Sequence, residues 1–110
     1  MSLPLEGLKV LAFEQYGAGP FGTQYLSDLG AEVIKVEPAG TTGDYLRDVG
    51  PYFLEGEKDS VSSIFFQALN RNKKSITLDI LSQEGKEVLK KLVKYSDAVC
   101  GLSSAILYER

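Results

Sequence analysis

The sequence predicts an α/β fold, a Rossmann-like doubly wound and mostly parallel sheet, and three observations carry that reading. Four short apolar runs alternate with helix-patterned segments along the chain. The first run leads into Gly17-Ala18-Gly19-Pro20-Phe21-Gly22, a glycine-rich turn that opens a helix. Strand, helix and strand then complete within about thirty residues, the span of a βαβ unit with its right-handed crossover. Such alternation suits a parallel sheet flanked by helices.

Each element has its own signal. Leu8 to Phe13 is apolar on both faces, as a central parallel strand is. Pro20 suits a first helical position, where its missing N–H costs nothing. The helix carries Phe21, Tyr25, Leu26 and Leu29 as an apolar stripe, and Gly30 stops it. Glu32 to Glu37 is a second strand of alternating character. Pro38 to Asp59 is a long loop rich in Gly, Pro, Thr and Asp, and loops of that length are functional or mobile. Asp59 or Ser60 is placed to cap a short helix bearing Ile64, Phe65, Phe66 and Leu69. A basic turn, Asn70-Arg71-Asn72-Lys73-Lys74, precedes a third strand at Ser75 to Asp79. Ser82 caps an amphipathic helix with Glu84 in its first turn and Val88, Leu89, Leu92 and Val93 on one face. Ala98 to Cys100 is the fourth strand, and a last helix is predicted from Ser103 to Arg110. The pattern stops within that helix, and four strands are few for such a sheet. Residues 1–110 therefore read as the N-terminal part of a larger domain, or as a shortened relative of it.

Composition narrows the function. The chain is 44% apolar, 25% charged and 10% aromatic, an ordinary globular balance. A net charge of −3 argues against a nucleic-acid partner, which needs a basic face. No apolar run approaches the ~20 residues that span a bilayer, and no signal peptide opens the sequence, so a cytoplasmic protein with no membrane partner is expected. The chain has no histidine and one cysteine. That removes His-based triads and proton shuttles and leaves little to ligate zinc. Cys100 reads as a strand residue in a reducing compartment.

The glycine turn is formally G-x-G-x-x-G, and Glu37 lies about 20 residues on, where a dinucleotide fold places its ribose-binding acid. Three features oppose a nicotinamide or flavin site. Glu14, Gln15 and Tyr16 separate the apolar run from Gly17, so the turn is not tight against the strand end. A carboxylate at Glu14 repels a pyrophosphate. Pro20 removes an amide from the helix start, where phosphate recognition wants one.

Four segments in order give a stronger signal: Leu5-Glu6-Gly7-Leu8-Lys9-Val10-Leu11, Gly17 to Gln24, Leu29-Gly30-Ala31-Glu32-Val33-Ile34-Lys35-Val36-Glu37, and Asn70 to Asp79. Together they resemble the N-terminal segment of the family III coenzyme A transferases (CaiB/BaiF-type), which share a fold with the α-methylacyl-CoA racemases. The resemblance runs from residue 5 to about 99. It implies a Rossmann-like portion that grips coenzyme A as substrate, with no tightly bound cofactor. It implies an interlocked homodimer that moves CoA between an acyl-CoA and a carboxylic acid. In such enzymes an aspartate attacks the acyl-CoA and forms a mixed anhydride, covalent catalysis by a carboxylate. That aspartate matches none of Asp28, Asp44, Asp48, Asp59, Asp79 or Asp97, so this chain alone is expected to be inactive.

The same resemblance proposes the ligand-binding residues. Gln15, Gly17 and Ala18 fall at the thioester end of CoA, where relatives often carry a polar residue in place of Gly17; a plain strand-to-helix turn is the alternative. Leu78, Asp79, Ile80 and Leu81 fall on the adenine and ribose side, with core packing and turn formation as alternatives. Arg71, Lys73 and Lys74 meet the CoA phosphates or form a solvated turn, while Lys86, Lys90 and Lys94 read as solvent-facing. Arg110 matches a CoA-contacting arginine. Leu102 to Ile106 stand where relatives carry an Asn-Phe-Arg-Pro-Gly-type loop, a departure that leaves a non-catalytic relative or dimerisation module as the second reading. A racemase fragment is a third. Glu37 reads as no more than the end of a strand.

Overall fold

The computed structural model describes residues 2–54 and 63–101 of the chain. Four strands, β1 (Lys9–Phe13), β2 (Glu32–Pro38), β3 (Lys74–Leu78) and β4 (Ala98–Gly101), form one sheet in the order β3-β2-β1-β4. Every pairing is parallel: Val10 lies opposite Val33 and Ala98, and Val36 lies opposite Ile76. This is the order expected at the centre of a doubly wound sheet. The fourth expected strand is present. The predicted cap at Asp59 or Ser60, the segment 102–106, the last helix and Arg110 fall outside the described residues.

Side chains of β1 alternate between two cores, because successive Cβ atoms point to opposite faces. Val10 and Ala12 join Ala31 and Val33 on one face, with Leu5, Leu8, Leu26, Ala98 and Cys100 packed around them. Leu11 and Phe13 join Val36 on the other, beneath Leu78, Ile80, Leu89 and Leu92. Helix α1 (Ala18–Asp28) covers the first face beside the short α2 (Ile64–Asn70), and α3 (Gln83–Tyr95) covers the second.

Local chemistry explains the helix ends. Gly30, at φ +104°, closes α1: its N–H donates to the Ser27 carbonyl and the Ala31 N–H to that of Leu26, the paired bonds of a Schellman motif. Ser82 caps α3 by accepting from the Gly85 N–H at 2.9 Å, with Glu84 in the first turn as the dipole favours. Ser63, the residue just before the first helical position, caps α2 by accepting from the Phe66 N–H.

Two features depart from the sequence reading. Helix α1 begins at Ala18, so Pro20 occupies its third position, where its N–H would still have had no intrahelical partner. Of the expected apolar stripe, Leu26 packs on the core, but the rest of the inner face is unexpected. Pro20, Thr23, Gln24 and Ser27 are buried, whereas Phe21 and Tyr25 stand 55% and 58% exposed, with Leu29 exposed beside them. The reason is polar. Gln24 and Ser27 donate to the Arg71 carbonyl at 3.2 and 2.8 Å, and Thr23 donates to Glu14, so bonds to the α2–β3 turn fix the rotation of the helix. In α3, Leu89 and Leu92 pack inward while Val88 and Val93 are exposed.

The glycines of the β1–α1 turn differ in what they do. A Cβ at Gly19 would lie 2.8 Å from the Glu14 Cβ, whereas one at Gly17 or Gly22 would meet nothing within 4 Å. Gly85, in the first turn of α3, is tightly constrained by the β3–α3 connection, since its Cβ would fall 1.7 Å from the Asp79 carbonyl oxygen. Gly22→Ala is therefore predicted to stabilise the chain by about 0.5–1 kcal/mol through helix propensity. Gly85→Ala is predicted to destabilise it by roughly 1–3 kcal/mol through forced displacement of the 79–82 turn. Urea unfolding of both variants reads the two signs, and equal effects would contradict the assignment.

Candidate functional site

The carboxyl ends of β1, β2 and β3 open onto a cavity of ≈ 320 Å³, within the range of small-molecule sites. Phe13, Glu14 and Gln15 form one wall, Val36 to Ala39 a second, and Leu78 to Leu81 a third. Ligands of parallel sheets bind at this end of the strands. The cavity lies on the β1–β2–β3 side rather than in the β1–β4 crevice where the strand order reverses.

Of the candidate residues, Gln15, Leu78, Asp79, Ile80 and Leu81 are brought together here. Leu78 and Ile80 also pack on the Phe13–Val36 core, whereas Leu81 is 74% exposed at the rim. Asp79 shapes its own turn, its Oδ1 accepting from the Leu81 N–H at 3.0 Å and its carbonyl from the Ser82 hydroxyl at 2.9 Å. Gly17 and Ala18 do not line the cavity; they form the N-terminus of α1, which has no side-chain cap. The second wall, Val36 to Ala39, was missed by sequence reasoning. The available signal was its place immediately after a parallel strand.

Behind the first two walls lies a chain of buried charges. Glu14, within 2.8 Å of the Lys73 amine and 2.7–2.8 Å of the Thr23 hydroxyl, is turned inward and neutralised. Lys73 also reaches the Pro20 carbonyl at 2.9 Å and Asn70 Oδ1 at 3.3 Å. Asn70 Oδ1 accepts from Lys35 at 2.9 Å, and Lys35 is paired with Asp44. Asp44 in turn caps the 3₁₀ turn Tyr45–Asp48, its Oδ1 accepting from the N–H groups of Leu46 (2.8 Å) and Tyr16 (2.9 Å). The Asp44 N–H donates to Glu37, which Arg47 grips with two bonds of 2.8 and 3.0 Å while its guanidinium lies 3.9 Å from the Phe66 ring centre. Three carboxylates thus meet three cations. Low dielectric makes each pairing obligatory.

This arrangement corrects two expectations. Glu37 is a buried, doubly bonded anchor for the loop after β2 rather than only a strand end. The basic turn is neither a free phosphate cluster nor uniformly solvated. Lys73 is buried on Glu14, while Arg71 and Lys74 are exposed and paired with Asp28 and Glu32. Lys90 and Lys94 do face solvent, and Lys86 is half-buried. Burial pushes the Lys73 amine below its ordinary value, with Glu14 pulling it part of the way back.

Glu37 gives the acid response of this region. Burial raises its carboxyl, but Arg47, the Asp44 N–H and Ser75 outweigh that and hold it below the ordinary 4.5. A carboxylate depressed in the folded state stabilises above its unfolded value, and that stabilisation is lost as pH falls through the folded one. The Tm gap between the wild type and Glu37→Gln is therefore predicted to be widest at neutral pH and to shrink as the pH falls below the ordinary carboxylate value. A gap independent of pH would refute the assignment.

Comparison with known proteins bears on the same segments. The family model for CoA-transferase family III matches residues 5–103. A succinyl-CoA–D-citramalate CoA-transferase of Chloroflexus aurantiacus is 44% identical over 96 residues, 87% of this chain and 22% of the relative. The human succinyl-CoA:glutarate CoA-transferase is 46% identical over 94 residues, 86% of this chain and 20% of its own length. The crystal structure of a CAIB/BAIF family protein from Brucella suis superposes with a TM-score of 0.78 at 44% identity, covering 92% of this chain and 26% of that one. The chain spans about a fifth to a quarter of the proteins it matches. No helix among the described residues is long and apolar enough to cross a membrane. With the parallel sheet, the four sequence segments and the family match in agreement, the chain belongs to CoA-transferase family III.

Proposed function

We propose that this chain is the coenzyme A-gripping portion of a CoA-transferase that moves CoA between an acyl-CoA and a carboxylic acid. The observation that carries the reading is the cavity at the strand ends, where Gln15 and the run from Leu78 to Leu81 converge from separate parts of the sequence. Its apolar lining and the exposed Leu81 suit a flat or flexible uncharged part of CoA, the adenosine or the pantetheine. Its charged lining residues are Glu14, Glu37 and Asp79, with no Lys or Arg among them. The phosphates must therefore be met outside the cavity, and Arg110 is a candidate by family resemblance. Gly17 and Ala18 contribute backbone at the start of α1, where a Cβ at position 17 meets nothing and a thioester could approach.

The nucleophile is assigned elsewhere in the family's polypeptide. Every described aspartate is committed locally: Asp28 to Arg71, Asp44 to Lys35, Asp48 to Thr42, Asp79 to its own turn, and Asp97 to the Lys9 N–H. The named relatives exchange CoA between short carboxylic acids, which supports the same substrate class here. The resemblance also supports a cytoplasmic homodimer, and the exposed Phe21, Tyr25 and Leu29 are an apolar surface that more polypeptide would cover. Sedimentation velocity separates a dimer from a monomer.

Titration calorimetry is expected to show saturable CoA binding at submillimolar concentration. Intact-mass analysis after incubation with an acyl-CoA is expected to show no covalent adduct. Absence of heat up to millimolar CoA would favour the non-catalytic relative, and tighter binding of NAD than of CoA would restore the dinucleotide reading.

A further inference from the structure

The first two walls of the cavity lie at the ends of two strands, and one residue bonds to the second wall and to the residue beside the first. Asp44 is fully buried. Its Oδ1 receives the N–H of Tyr16, next to Gln15, and its own N–H donates to Glu37, between Val36 and Pro38. Its second oxygen is paired with Lys35, which rises from the middle of β2. Tyr16 sits at φ +66°, a left-handed conformation that disfavours side-chain-bearing residues and persists where the surroundings impose it. The Tyr16 ring does not supply that constraint through burial, since it is half-exposed and stacks, at 6.0 Å between centroids, on the exposed Tyr45. The bond from the Tyr16 N–H to the Asp44 carboxylate is a contact that holds it there.

A cap for the 3₁₀ turn needs only the bond to the Leu46 N–H. It explains neither the bond to Tyr16 nor a lysine brought into the same buried site, where both ions lose hydration. On the reading that the cavity receives part of coenzyme A, we propose that Asp44 is a positioning residue for that site. Its carboxylate, held by Lys35, locks the β1–α1 turn to the loop after β2, so that the Gln15 and Val36–Ala39 walls stand in binding shape.

The test uses two double variants of the full chain that differ only in whether an acceptor remains at position 44. Lys35→Met/Asp44→Asn removes both charges but keeps an oxygen for the Tyr16 N–H. Lys35→Met/Asp44→Ala removes both charges and the oxygen. Circular dichroism checks the fold, NMR amide exchange reads Tyr16, and calorimetry reads CoA. The Asn variant is expected to keep Tyr16 more protected than the Ala variant does and to bind CoA more tightly than it. The Ala variant is expected to lose that protection and bind about tenfold more weakly, the scale of one hydrogen bond lost. Equal Tyr16 exchange or equal affinity in the two variants would overturn the proposal. So would an unprotected Tyr16 amide in the wild type, a result that depends on no variant. If the wild type binds no CoA, the ligand reading fails, and the Tyr16 comparison still decides whether Asp44 holds the turn.

Discussion

The pairing of Lys35 with Asp44 inside the protein is the constraint on which the rest of the site depends. Lys35 is carried into the interior by strand geometry, because it shares a face of β2 with the core residue Val33. A buried ammonium without a partner is costly, and removing one member of such a pair typically costs about 3–5 kcal/mol. Asp44 must therefore come to it, and Asp44 brings the loop after β2, the 3₁₀ turn and the Tyr16 backbone with it. The neighbouring pairs extend the same logic. Lys73 and Glu14 tie the β3 entry to the end of β1, and Arg47 and Glu37 tie the loop to the end of β2. The cavity wall is built by electrostatic necessity as much as by packing.

The rotation of α1 follows from the same network. With Thr23 committed to Glu14 and with Gln24 and Ser27 committed to the Arg71 carbonyl, the polar side of the helix is its inner side. Its aromatic side, where Phe21 and Tyr25 meet edge to face at 5.3 Å, is left outward. The chain spans about a quarter of the solved family member it superposes on.

Much of the fold was legible in the sequence because its signals are local. The apolar run ending at Phe13, the stop at Gly30 and the cap at Ser82 each follow from one or two residues. The convergence of Gln15 with Leu78 to Leu81 on one cavity was not legible, since the family resemblance set them at different parts of coenzyme A. The buried charges were not legible, since Lys73, Glu14 and Arg47 each look like surface residues until a distant partner is known. Lys35 was the exception in principle: a lysine and Glu37 on the inward face of an alternating strand signal that partners must be found for both. The stripe of α1 misled for the opposite reason. Helical periodicity identifies an apolar face but not which polypeptide covers it.

Coenzyme A is proposed to meet this chain at the carboxyl ends of β1, β2 and β3. Amide chemical-shift mapping during a CoA titration tests it most directly. The account predicts the largest perturbations at Gln15, Ala39 and Leu78 to Leu81, with smaller ones at Gly17 and Ala18. Perturbations confined to the β1–β4 crevice or to the outer face of α3 would contradict it.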